Sequence, residues 1–141
     1  MEADREDVVG FVLDASTALV WFLPDETSSV ADQTLRLLGK RAAIVPDLFW
    51  HEMRNVLLTS CRRKRISLPE VWHSMGRLEQ LSISTARAAD NTLILTLAER
   101  HSLTAYDAAY LALALDRQLP LATLDRKLTK AAESEGLPLL T

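Results

Sequence analysis

Positive charge is in short supply in this chain. Sixteen Lys and Arg stand against nineteen Asp and Glu, for a formal charge of −3. A protein that held nucleic acid by bulk charge alone would be basic, so any such substrate needs local basic patches or bound cations. Cysteine is nearly absent. The one residue, Cys61, cannot close an internal disulfide or build a cysteine-based zinc site by itself. No apolar run approaches the ~18 residues that suggest a membrane helix. The opening Met-Glu-Ala-Asp-Arg-Glu-Asp is acidic and lacks the basic start of a secretory signal, so a cytoplasmic protein with a flexible segment 1–7 is expected. Neither GxxxxGK[ST] nor GxGxxG occurs, which leaves nucleoside triphosphate and dinucleotide binding without support.

What is present is ordinary globular material. Of 141 residues, 48% are hydrophobic and 25% charged, enough for one domain with a real core. Short apolar strands alternate with longer helical patterns. Strands are expected at Val8–Asp14, Ala42–Val45, Leu81–Ser84, Leu121–Thr123 and Leu137–Leu140. Helices are expected at Ser16–Leu23, Asp25–Gly39, from Pro46 to about Arg65, and at Leu68–Glu79, Thr85–His101, Thr104–Arg117 and Arg126–Glu133. Strand–helix alternation predicts a mostly parallel sheet with helices on both faces. Ligands of such sheets bind beyond the carboxyl ends of the strands.

Acids gather at those ends. Asp14 closes the first strand in Phe11-Val-Leu-Asp-Ala-Ser16, and Asp125 follows the fourth in Leu121-Ala-Thr-Leu-Asp125. Each could simply be a helix N-cap. Asp107 is the only charge in Thr104-Ala-Tyr-Asp-Ala-Ala-Tyr-Leu-Ala-Leu-Ala-Leu115, a helix apolar nearly all round and therefore buried. A capping box with Thr104 is compatible with a second role. Glu52 shares a helix face with Phe49 and Val56, an unusual place for an unpaired acid, and Asn55 one turn on could orient it. A boundary Glu reaching to solvent is the plainer alternative.

Four carboxylates brought together repel unless something neutralises them. A hard divalent cation does so: Mg²⁺ takes few carboxylates, keeps waters and leaves positions for phosphate oxygens. His51, His73 and His101 show no paired spacing, so histidine-based acid–base cleavage is disfavoured. A phosphatase with Asp14 as nucleophile would want a D-x-D pattern, and Ser16 holds the second position.

Four segments then carry a resemblance: Val12-Leu-Asp-Ala-Ser-Thr-Ala-Leu19, Glu52-Met-Arg-Asn-Val-Leu57, Leu103-Thr-Ala-Tyr-Asp-Ala-Ala-Tyr-Leu111 and Leu121-Ala-Thr-Leu-Asp125. In order and spacing the chain resembles the PIN-domain family, and within it the VapC-type toxins of bacterial toxin–antitoxin pairs. The resemblance implies a three-layer α/β/α sandwich around a mostly parallel sheet of about five strands. It implies an Mg²⁺- or Mn²⁺-dependent endoribonuclease, a cognate antitoxin partner and a homodimer. It assigns Asp14, Glu52, Asp107 and Asp125 as metal ligands, with Ser16 and Thr123 in support. A non-catalytic binding module on the same fold is the competing reading. Arg62, Arg63, Lys64 and Arg65 end the third helix, where cations favour the dipole. They lie roughly 15–20 Å along the helix from Glu52, so they could hold RNA phosphates beyond the cut but not touch the metal. Trp21 and Phe22 would suggest a partner surface if exposed, whereas Trp50 and Trp72 read as core or interface.

Overall fold

The computed structural model describes residues 9–140, so the expectation for segment 1–7 falls outside the described residues. The elements run β1 (Val9–Leu13), α1 (Ala15–Val20), α2 (Ser29–Leu37), β2 (Ala42–Val45), α3 (Leu48–Arg62), α4 (Leu68–Glu79), β3 (Ile83–Thr85), α5 (Asn91–His101), α6 (Ala105–Arg117), β4 (Leu121–Ala122) and α7 (Arg126–Ser134). The four strands are parallel in the order β3-β2-β1-β4.

Phe11, Val12 and Leu13 are each wholly buried. Successive strand residues point to opposite faces, so both faces of β1 are covered by helices. This is the expected α/β/α sandwich. Helix α6 supplies much of the core, since every residue from Ala108 to Ala114 is buried. Leu111 and Leu113 are fully shielded, and each such leucine contributes about 2 kcal/mol.

The strand order decides where a ligand can bind. From β1 the chain steps through β2 to β3 on one side, then returns to place β4 on the other side of β1. Chain leaving β1 and chain leaving β4 therefore part in opposite directions, and a crevice opens between them at the carboxyl edge.

Boundaries shift where side chains intervene. The helix expected from Asp25 begins at Ser29, because Ser28 caps it by accepting from the Ala31 amide. The helix expected from Thr85 begins at Asn91, capped by Asp90, and residues through Thr85 stay in β3. The Leu68–Glu79 helix lies where expected, held by a full capping box between Ser67 and Glu70. The fifth strand, Leu137–Leu140, contracts to one parallel bridge between Leu121 and Leu139. Its neighbour β4 has only two residues, and Pro138 has no N–H to give a ladder. Leu121 donates to the Pro138 carbonyl instead, and Leu140 donates to Leu121.

The aromatics divide. Trp21 and Phe22 are half-buried against the core, and the Trp21 indole donates to the Ala31 carbonyl. Trp50 is half-buried and donates to the Thr85 hydroxyl. Trp72 is not core: it is 75% exposed on α4.

Candidate active site

Asp14 is the first residue after β1 and the N-cap of α1. It is almost fully buried. Its carboxylate accepts from the Ser16 amide at 3.1 Å, the Ser16 hydroxyl at 2.9 Å and the Thr123 hydroxyl at 2.5 Å. The same hydroxyls reach onward: the Leu124 amide donates to Ser16 Oγ at 3.0 Å, and the Asp125 amide donates to Thr123 Oγ1 at 3.0 Å. Ser16 and Thr123 thus tie the end of β1 to the end of β4. Burial pushes the Asp14 carboxyl above its ordinary value, against the pull of these donors, and the charge of Asp107 adds to the rise. Both Asp14 oxygens are engaged by these donors, which fixes the orientation of the carboxylate.

Asp125 sits across the crevice as N-cap of α7, accepting from the Leu128 amide at 2.9 Å. Asp107 lies in the first turn of α6, where Thr104 accepts from its backbone N–H at 3.0 Å. Partial burial raises the Asp107 carboxyl and the neighbouring charge of Asp125 raises it further, while a hydrogen bond from the Thr104 hydroxyl and the charge of Lys127 pull it down.

Glu52 comes from α3, and its Oε1 accepts the Tyr110 hydroxyl at 2.5 Å. Burial raises the Glu52 carboxyl, opposed by that hydrogen bond, with Asp14 and Asp107 adding repulsion. Tyr110 is wholly buried on α6, and its own hydroxyl is held far above its ordinary range, first by burial and then by Glu52. It stays a donor throughout. Asn55 is the orienting residue expected from helical spacing. It lines the cleft beside Glu52, but the hydrogen bond on Glu52 comes from Tyr110. A sequence signal existed: Tyr110 is one turn beyond Asp107 on an otherwise apolar helix, and a buried tyrosine hydroxyl needs a partner.

Asp14, Ser16, Glu52, Asn55, Asp107 and Asp125 line one open cleft of about 290 Å³. Chain segments more than a hundred residues apart supply them. The set is loose: among the described residues no three acid, histidine or cysteine side chains converge on a single ligation point. Arg62, Arg63 and Lys64 are exposed at the end of α3 and do not line the cleft. Arg65 is already occupied, paired with Asp25 at 2.5 Å and Glu26 at 3.3 Å across the loop between α1 and α2. These pairs tie Arg65 to that loop.

Tyr110→Phe keeps the core volume and removes only the donor to Glu52. Where the oriented group is a metal ligand, losing such a partner costs about 10–100-fold in activity or metal affinity. The expected result is a loss at the lower end of that range with a melting temperature within a few degrees of wild type, read by initial rates and thermal unfolding.

Similar proteins agree with this fold. The PIN domain family matches residues 11–134. Ribonuclease VapC3 from Pyrobaculum aerophilum is 33% identical over 125 residues, covering 84% of this chain and 92% of that protein. Among solved structures, PAE2754 from Pyrobaculum aerophilum superposes with a TM-score of 0.71 at 21% identity, over 87% of this chain and 84% of that one. A toxin–antitoxin complex from Klebsiella pneumoniae gives 0.57 at 16% identity, over 82% and 86%. These two show a shared fold. The family match spans most of the described residues and includes all four cleft acids, and the chain belongs to the PIN-domain family.

Proposed function

We propose that this chain is a metal-dependent endoribonuclease, the toxin of a toxin–antitoxin pair. The observation that carries the reading is the convergence of Asp14, Glu52, Asp107 and Asp125 on one cleft at the switch point of the sheet. A curated relative named as a ribonuclease, similar over nearly its whole length, supports RNA as substrate.

The donor set fits a hard cation. All four groups offer oxygen, three have carboxyls raised by burial and by neighbouring acids, and the cleft they line is open to solvent. That suits Mg²⁺ or Mn²⁺, which share a few carboxylates with waters and substrate phosphates. Bound there, such an ion supplies Lewis-acid polarisation of the phosphodiester and a water activated near neutral pH. The chain's own contribution is positional. Asp14 is locked by Ser16 and Thr123, Glu52 by Tyr110, and Asp125 by the Leu128 amide of α7. Asp107 stands on a capped helix start.

An antitoxin partner is supported by the toxin–antitoxin complex among the structural neighbours, and a homodimer and a cytoplasmic setting belong to the same proposal. No helix of the described residues is long and apolar enough to cross a membrane. One observation favours the binding-module reading: Asp14 and Asp125 both cap helices and would be useful without chemistry. The two readings part in a cleavage assay on a panel of transfer, ribosomal and single-stranded RNA with Mg²⁺, with Mn²⁺ and with EDTA. Discrete cuts that appear only with metal are expected. No cleavage together with no metal binding would leave the module in front.

A further inference from the structure

The acid cleft does not stand alone. A second open groove of about 510 Å³ adjoins it, shares Glu52 and Asn55 as lining, and is completed by Leu48, His51 and Tyr106. Tyr106 is the outlier. It is 67% exposed, one of the few large side chains left in solvent, and no side-chain hydrogen bond is seen for it among the described residues. A ring so placed stabilises little of the fold and is free to meet a ligand.

Its position is informative. Tyr106 directly precedes Asp107, so their Cα atoms are about 3.8 Å apart, and on a helix their side chains diverge by roughly 100°. The ring therefore flanks the acid cleft. From α3 the Arg54 guanidinium donates to His51 Nδ1 at 3.0 Å, and His51 Nε2 lies 3.1 Å from Asp47. With its proton on Nε2, His51 donates to Asp47 and accepts from Arg54. This chain of three fixes the His51 ring at the wall of the groove.

We propose that this groove is a stacking subsite for a nucleobase next to the scissile phosphate of single-stranded RNA, with Tyr106 as its platform. The inference rests on the ribonuclease reading above. Two features favour RNA over a protein segment as the occupant. The groove is continuous with the cleft that would hold the phosphate. It offers an aromatic face, and every base has a π-face to lay on one. A base already stacked inside an A-form duplex has no free face to give, which restricts the substrate to loops, bulges or unpaired strands.

The test uses the full chain with Mg²⁺ and a single-stranded oligoribonucleotide carrying 2-aminopurine beside the mapped cut. Tyr106→Leu is expected to raise KM about tenfold, the equivalent of ~1.4 kcal/mol, with kcat changed less than about twofold. In an Asp107→Asn background, which binds without cutting, 2-aminopurine fluorescence is expected to be quenched when Tyr106 is present and restored when Tyr106→Leu is added. Tyr106→Phe keeps the ring and should keep both behaviours. Wild-type KM and quenching in Tyr106→Leu would overturn the subsite while leaving the ribonuclease reading intact. Normal cleavage by Tyr106→Leu with an altered oligomeric state would do the same and point to a protein interface. A wild-type chain that neither cuts nor binds any RNA with metal present would remove the ribonuclease reading and the subsite together.

Discussion

Asp107→Asn is expected to abolish metal-dependent RNA cleavage, by at least about a hundredfold, while the domain stays folded. On the proposed reading, the rate loss follows from replacing a charged oxygen ligand by a neutral amide at a centre whose catalytic contribution is typically worth about 10²–10⁴-fold. The retained fold follows from the geometry of the helix start. Thr104 caps α6 by accepting the Asp107 backbone N–H, and the Asp107 side chain takes no part in that bond. Asparagine preserves the shape and removes a carboxylate that is partly buried and repelled by Asp125. The metal-free variant should therefore melt no lower than metal-free wild type at neutral pH. Cleavage assays and thermal unfolding on the same preparation separate the two effects. Full activity in Asp107→Asn, or a large drop in its melting temperature, would contradict the role given to this residue.

Stripped of divalent ions, the protein should become more stable as the pH is lowered from neutral toward the ordinary carboxylate range. Asp14, Glu52 and Asp107 all have folded-state carboxyls raised above their unfolded values. In the window between the two values the folded state binds more protons than the unfolded one, so stability falls as pH rises through it. At neutral pH these groups are a net burden on the metal-free fold. Other acids run the opposite way. Glu135 is held low by His101 at 2.6 Å and by Arg100, Asp25 by Arg65, and Glu70 by the Ser67 cap. Their stabilisation is present above the unfolded carboxylate values and is lost only as pH falls through the folded ones. Metal-free stability should thus peak in mild acid and decline on both sides. A cation in the cleft offsets the repulsion, so Mn²⁺ at a hundredfold its Kd should add about 2.7 kcal/mol at neutral pH, roughly 8 °C in melting temperature. The gain should shrink as the cleft acids protonate. Scans across pH with EDTA and with Mn²⁺ give both curves, and a metal effect equal at all pH values would place the ion elsewhere.

Much of this could be read along the chain because it depends on local pattern. Val9–Leu13 and Ala42–Val45 are apolar runs of strand length, and Ser67, Pro69 and Glu70 carry their own start signal, so those elements fall where expected. Asp14 declared itself by ending a strand, Asp125 by following one, and Asp107 by being the sole charge in an apolar stretch of helix. Strand–helix alternation forces a parallel sheet, and the acids at its carboxyl edge follow from that topology. Tertiary structure decided the rest, because it concerns partners far apart in the chain. Only the fold brings Tyr110 to Glu52, fifty-eight residues away. Only the fold spends Arg65 on Asp25 and Glu26, leaves Trp72 and Tyr106 in solvent, and reduces the last strand to one bridge beside a two-residue neighbour. Residue type and spacing determine which groups can reach the edge of the sheet, whereas hydrogen-bond partners and exposure are set by what packs against them.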